Sequence, residues 1–337
     1  ITGTGFANVS TVRFGDGVGF ATTNFNVNSP TSITVTVPLG AVSGHVSVQT
    51  LYGLATSAAT LGVAPDFQLR NPQTTASSFE SGIAYGNNVY VAVALSGQIW
   101  SSPDGNAWTL RFQSSNPLNG IAFAAGQFVA VGSSGTILTS SDGSSWTTRA
   151  SFTTSALNGV TYNGTSWLIV TNAASTVVTS PDGIVWTPIT TTGGGSANAV
   201  AFGAGFYVSA ASVGVIRTSP DGVNWTSRTS NTANALNDVF FGNGQFVAVG
   251  NTGTIVTSAD GLTWTVRTTG ITSTLYGTAY GAGKFAVGTS TTTVLTSNDG
   301  VSWSAVGVGQ GSPRSMVFGG GQFVSGGSVG FFLTSPD

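Results

Sequence analysis

A short box recurs along the chain at a nearly constant interval, and it constrains the fold more than any other feature. It reads "SPDGNAW" (Ser102–Trp108), "SSDGSSW" (Ser140–Trp146), "SPDGIVW" (Ser180–Trp186), "SPDGVNW" (Ser219–Trp225), "SADGLTW" (Ser258–Trp264) and "SNDGVSW" (Ser297–Trp303). A seventh start, "SPD", ends the sequence at Ser335–Asp337. The box aspartates Asp104, Asp142, Asp182, Asp221, Asp260, Asp299 and Asp337 are therefore spaced by 38 to 40 residues. Each period also contains four short apolar or alternating runs, clearest in "LNDVFFGNGQFVAVGNTGTIVTSADGLTWTVR" (Leu236–Arg267). Gly and Asn pairs such as "GNG" separate the runs and supply the positive φ angles that tight hairpins need. No stretch has helical periodicity with caps. Four strands in about 40 residues, repeated along the chain, predict an all-β fold of β-propeller type.

The two ends predict how such a ring closes. "DFQLRN" (Asp66–Asn71) aligns with the strand after each box, with Phe67 on the Trp position and Arg70 on the Arg position of "WTSR". The repeat region, 65–337, thus begins with an outer strand and stops just before one. A seven-bladed propeller sealed by strand 66–71 beside "FFLTS" (Phe331–Ser335) would leave no open edge. Residues 1–64 fall outside the period and read as alternating strands broken by Gly, Asn and Pro, a small β-sandwich.

The boxes resemble the Asp-box, or BNR, repeats of sialidase-like propellers in the shortened form S-x-D-G-x-x-W. Such boxes occur in enzymes, assembly factors and adhesins, so the resemblance implies fold rather than activity. Plastid and cyanobacterial photosystem assembly factors are similar over the propeller alone and typically carry a more basic surface. In residues 1–64 the ordered run G-x-G-F, V-x-F-G, T-S-I-T-V-T-V-P and A-x-S-G-x-V-x-V-x-T resembles an IPT/TIG immunoglobulin-like domain. That resemblance implies an Ig-like sandwich lacking its first strand, which would precede "ITGTGF". The pairing of the two modules resembles parts of phage tail or capsid appendages and of bacterial surface proteins.

Composition removes several function classes. Only 6% of residues are charged, with one lysine (Lys284), eight arginines and a net charge of −2. No basic patch could neutralise a row of phosphates, which argues against a nucleic-acid partner. The chain has no cysteine, so thiolate metal sites and disulfides are out. No apolar run approaches the roughly 18 residues of a membrane span. His45 has no acidic neighbours, "FGDGVG" (Phe14–Gly19) reads as a hairpin turn, and neither a metal nor a cofactor is expected.

Seven of the eleven acidic residues are the box aspartates, and a residue repeated once per sheet is more economically structural. Each Asp can accept backbone N–H bonds in a turn while the Gly takes positive φ. Trp108, Trp146, Trp186, Trp225, Trp264 and Trp303 would pack between neighbouring sheets. Arg70, Arg111, Arg149, Arg228 and Arg267, three residues after each Trp position, would lay their stems on apolar surface and expose their heads. A sialidase needs an arginine cluster, a tyrosine–glutamate pair and an acid. The spare set here is Arg217, Arg314, Glu80 and Asp238, spread over separate repeats. No catalytic residue is expected.

A ligand would use one mouth of the central channel. Aligning repeats on the aromatic of "AF/AY" puts Ser81, Asn119, Asn158, Asn198, Asn237, Tyr276 and Arg314 in one ring, with Glu80 and Asp238 beside it. The asparagines can be read as satisfying turn backbone, or as a polar mouth in which Tyr276 and Arg314 are the departures that a ligand uses. The chain therefore reads as a non-enzymatic protein of the cell exterior, cell surface or virion, for adhesion, receptor or glycan recognition, or assembly. Its partners would be a cell-surface glycan or protein, other subunits of a surface assembly, or copies of itself in a homo-oligomer. A sialidase-like glycoside hydrolase and a structural subunit of a filament, sheath or capsid are the alternatives.

Overall fold

The computed structural model describes residues 1–14, 20–22, 24–35, 44–61, 68–70, 80–308 and 311–335. Among the described residues the fold is all-β, with nine sheets, three single-turn 3₁₀ segments and no α-helix. The chain divides into two compact units, one built on Ile1–Gln68 and one on Leu69–Thr334.

In the first unit, Val9–Phe14, Phe20–Thr22, Gly44–Thr50 and Gly53–Leu61 form one antiparallel sheet, with Val9–Phe14 and Gly44–Thr50 in its centre. Phe25–Ser29 and Ser32–Val35 form a separate hairpin. Alternation along Val9–Phe14 sends Val12 and Phe14 into the core, and Phe6, Ile33 and Val48 form a second apolar cluster. His45 lies on strand Gly44–Thr50. The "FGDGVG" turn lies outside the described residues.

The second unit is a propeller of four-stranded meanders. In the clearest repeat, Leu236–Gly242, Gln245–Gly250, Ile255–Ser258 and Thr265–Arg267 pair in chain order. Phe241 faces Phe246, Val249 faces Ile255, and Ile255 faces Arg267. The first hairpin turns on Asn243 (φ 49°) and Gly244 (φ 72°), the two positive angles that a two-residue turn of matching twist requires. The last repeat supplies only Pro313–Gly319, Gln322–Gly327 and Phe332–Ser335, and its fourth strand is Gln68–Arg70 from the opposite end of the sequence. Asp66, Phe67 and Asp337 lie outside the described residues.

Contacts between the last repeat and the first close the ring. The Tyr90 hydroxyl donates to the Gly319 carbonyl at 2.5 Å, and Gln322 Nε2 donates to the Asp104 carbonyl at 2.8 Å. The Trp108 ring stacks on Phe332 with centroids 3.8 Å apart. The same glutamine contact joins neighbours within the sequence, from Gln127 to Asp182 O and from Gln245 to Asp299 O.

The box itself is a hydrogen-bonded knot. Asp221 Oδ1 accepts the backbone N–H of Val223 and of Asn224, both at 2.8 Å, and the Ser219 hydroxyl at 2.9 Å. Ser219 Oγ accepts the Gly222 N–H at 2.8 Å, Gly222 sits at φ 77°, and Trp225 Nε1 donates to the Gly222 carbonyl. Asp104, Asp142, Asp182, Asp260 and Asp299 make the same pair of backbone contacts. Trp108, Trp186, Trp225 and Trp264 are buried, and Trp146 and Trp303 are partly so. The arginine heads are less free than the sequence suggests. Nε of Arg111, Arg149, Arg228 and Arg267 donates to the hydroxyl ten residues earlier, on Ser101, Thr139, Thr218 and Thr257. Strand pairing brings that hydroxyl alongside.

The N–H donors hold the box carboxyls of Asp142, Asp182, Asp221, Asp260 and Asp299 below the ordinary aspartate range, led in each case by the residue three further on. A depressed folded-state pKa contributes stability above the unfolded value of about 4 that is lost as pH falls through the folded value. Urea midpoints should therefore drop between pH 4 and pH 2.5. At neutral pH, Ser219→Ala strands the buried Gly222 N–H and should cost about 1–3 kcal/mol. A urea midpoint unchanged by this substitution would mean that the knot adds nothing to stability.

Candidate functional site

The first strands of successive repeats stand side by side around a cavity of about 620 Å³. Three residues before each repeat aromatic the chain carries Gly82, Gly120, Gly159, Ala199, Asp238, Gly277 and Ser315. A Cβ on Gly120 would lie 2.9 Å from the Asn158 carbonyl oxygen, and one on Gly277 would lie 2.8 Å from the Met316 nitrogen. Small residues at this position let adjacent strands approach closely, and the cavity is narrow because of it.

The structure brings together the ring expected from the sequence. Ser81, Asn119, Asn158, Asn198, Asn237, Tyr276 and Arg314 all line the cavity, and so does Asp238. Glu80 begins the strand Glu80–Gly86, opposite Ala94, but its side chain lies outside the described residues. The asparagines do not satisfy turns of their own sheets. Each Nδ2 reaches across to the next sheet: Asn119 to Leu157 O (2.9 Å), Asn158 to Ala197 O (2.7 Å), Asn198 to Leu236 O (2.8 Å) and Asn237 to Leu275 O (2.9 Å). Ser81 Oγ does the same toward Leu118 O at 2.5 Å. The ring is a belt of clasps, since each acceptor immediately precedes the next ring residue.

The belt changes character at Tyr276 and Arg314. The Arg314 guanidinium carbon lies 4.5 Å from the centroid of the Tyr276 ring, a cation–π contact. Asp238 sits where other repeats carry Gly, Ala or Ser, and its Oδ2 accepts the Thr278 N–H of the next sheet at 2.9 Å. That bond brackets Tyr276, so Asp238, Tyr276 and Arg314 occupy one wall spanning three consecutive repeats. Burial outweighs the bond and pushes the Asp238 carboxyl up to about 6. Two further lining residues break the pattern and escape a reading based on polar departures. Phe240 takes a position that is Ala, Thr or Val in the other repeats, and Leu95 is exposed at the cavity. The signal for both was present in the alignment, as a large apolar residue where the other repeats carry smaller or polar ones.

A raised carboxyl pKa means that the folded state holds a proton between about pH 4 and pH 6 that the unfolded state has released. The cost of Asp238 to stability is therefore complete above about pH 6 and gone only below about pH 4. Asp238→Asn keeps the bond to Thr278 and should stabilise the protein by about 1–3 kcal/mol at pH 7.5. In urea titrations the gap should narrow from about pH 6 downward and close near pH 4; a gap independent of pH would show that the carboxyl ionises as freely as in water. The clasps are separately testable by thermal melts. Asn158→Ala should lower the melting midpoint, whereas Asn158→Ser should retain most of it because Ser81 makes the equivalent bond.

Residues 181–318 match the family described as the DUF6242 beta propeller domain. No curated protein matches the chain by sequence. Solved propellers resemble it in fold. The structure "YCF48 bound to D1 peptide" is 17% identical, with a TM-score of 0.67 over 82% of this chain and 96% of the other. YCF48 from Cyanidioschyzon merolae is 16% identical, with a TM-score of 0.64 over 81% and 98%. A catalytically inactive virginiamycin B lyase from Staphylococcus aureus with quinupristin is 11% identical, with a TM-score of 0.71 over 80% and 99%. At these identities the likeness is one of fold. It joins a peptide-bound protein and an enzyme, so fold leaves the choice between binding and catalysis to the site.

Proposed function

We propose that this chain is a non-enzymatic recognition protein that binds a partner loop or a glycan at the channel mouth. The observation that carries this reading is the gathering of departures on one wall. Asp238, Tyr276 and Arg314 interrupt an otherwise uniform belt on consecutive repeats and line one cavity. A purely structural ring would have no reason to depart from small residues there, least of all with a carboxyl that costs stability.

The finer architecture belongs to this reading. The propeller, 65–337, is taken as seven-bladed and of Asp-box (BNR) type, sealed by strand 66–71. The unit 1–64 is taken as an IPT/TIG Ig-like module. The reading is supported by the box geometry and by the four-stranded order that includes Gln68–Arg70. A chain this poor in charge and rich in Ser, Thr, Asn and Gly fits an extracellular, cell-surface or virion setting, with adhesion, receptor recognition or assembly as the role. A glycoside hydrolase is the second reading, favoured by the carboxyl of Asp238 raised to about 6 inside a cavity. Absence of turnover of fluorogenic sialosides would eliminate its sialidase form.

Arrays of glycans and of displayed peptides, probed with the intact chain, test the main reading. Tyr276→Ala and Arg314→Ala should each weaken the retained ligands at least tenfold. Binding that both variants leave intact would place the site elsewhere.

A further inference from the structure

The belt of clasps has a polarity. A backbone carbonyl can only accept, so the atom that each asparagine turns toward the next sheet must be its NH₂ group. The amide oxygens of Asn119, Asn158, Asn198 and Asn237 are thereby left for the cavity, and no described residue donates to them. Both Asn237 Nδ2 hydrogens are taken, one by Leu275 O and one by Asn251 Oδ1. Four consecutive repeats thus each offer an amide oxygen, Asn119, Asn158 and Asn198 keep one further Nδ2 hydrogen apiece, and Asp238 extends the same arc by one carboxylate.

We propose that this arc receives a primary alkylammonium group, from a lysine side chain of a partner loop or from a polyamine. The inference rests on the mouth being the binding site and names the chemistry of the occupant. An ammonium offers three N–H donors and no acceptor, which suits an arc whose oxygens outnumber its remaining N–H groups. A carboxylate at one end adds a charge-assisted bond, roughly twice as strong as a neutral one. The alkyl stem also has a place, since Ile83, Ile121, Val160 and Val239 line the same cavity. No cation among the described residues draws the Asp238 carboxyl down from about 6, and a bound cation would. A divalent metal suits the arc less well. It needs six or more oxygens converging on one point, and no cluster of metal-ligating side chains occurs among the described residues.

The experiment is calorimetry on the intact chain at pH 7.5 and 0.15 M salt with three probes: spermidine, acetyl-Gly-Lys-Gly-amide, and the same peptide with norleucine in place of lysine. At least one amine probe should bind ten times or more tightly than the norleucine peptide. Spermidine alone would identify a free polyamine as the source, and the lysine peptide a partner loop. Asp238→Asn should remove most of that preference, and Asn158→Ser, which keeps the clasp, should reduce it several-fold. Binding of neither amine probe more tightly than the norleucine peptide overturns the proposal, as does a preference that both variants leave intact. A neutral glycan that binds in a manner dependent on Tyr276, with no amine bound, overturns it too while leaving the mouth as the site. No array ligand sensitive to Tyr276 or Arg314, and no amine bound, overturns both.

Discussion

The close approach of neighbouring first strands is the constraint on which the rest of the structure depends. Four-stranded sheets can lie face to face around a narrow channel only if their inner edges carry almost no side chain on the facing side. Gly82, Gly120, Gly159 and Gly277 meet that condition, with adjacent backbone about 3 Å from where a Cβ would be. Close approach in turn puts each sheet's carbonyls within reach of its neighbour's asparagine, so the spacing and the clasp are one feature. The outer part of each repeat is held differently. There the aspartate knot presents its glycine to the preceding sheet, as Gly105 does to Val324 and Gly261 to Val208. An inner seam of glycines and amides and an outer seam of knots and tryptophans therefore fix each sheet at two radii.

Much of this was legible because the repeat supplies its own comparison. Six boxes and one remnant identify Asp221 as a turn-former without any structure, and its two N–H contacts have the expected geometry. The ring of residues four before each aromatic was likewise found by alignment, and one cavity contains it. What the sequence hid was direction. Nothing in "LNG" or "LND" indicates that the amide leaves its own turn and crosses to the next sheet, because that acceptor lies 38 or 39 residues further on. The arginine heads were misjudged for the same reason, since their hydroxyl partners are neighbours only through strand pairing. Of the two acidic residues beside the ring, Glu80 and Asp238, only Asp238 has a described side chain, and it is engaged with Thr278.

A repeated fold also separates stability from function in an unusually direct way. Where seven positions agree, the shared residue answers a shared mechanical need. Where one differs, the difference either relieves a local problem or does something else. Ser81 belongs to the first kind, because its hydroxyl makes the same cross-sheet bond as the asparagines. Asp238 does not. A glycine would fit there without cost, as it does at Gly277, yet the chain carries a carboxyl that burial pushes up to about 6.

Asp238 is also constrained in how it could act. Its Oδ2 accepts the Thr278 N–H, which fixes the carboxyl against the next strand. A general acid needs a second group across the scissile bond, and the described side chains of the belt itself are amides, a hydroxyl, a phenol and a guanidinium. Amides hold hydrogen-bonding groups well and transfer protons poorly, which sets them apart from Asp238. On the proposed reading the wall holds a group that donates hydrogen bonds, with its geometry set in advance by the clasps that hold the ring itself together. Recognition and closure would then draw on the same asparagines, one atom of each side chain for each task.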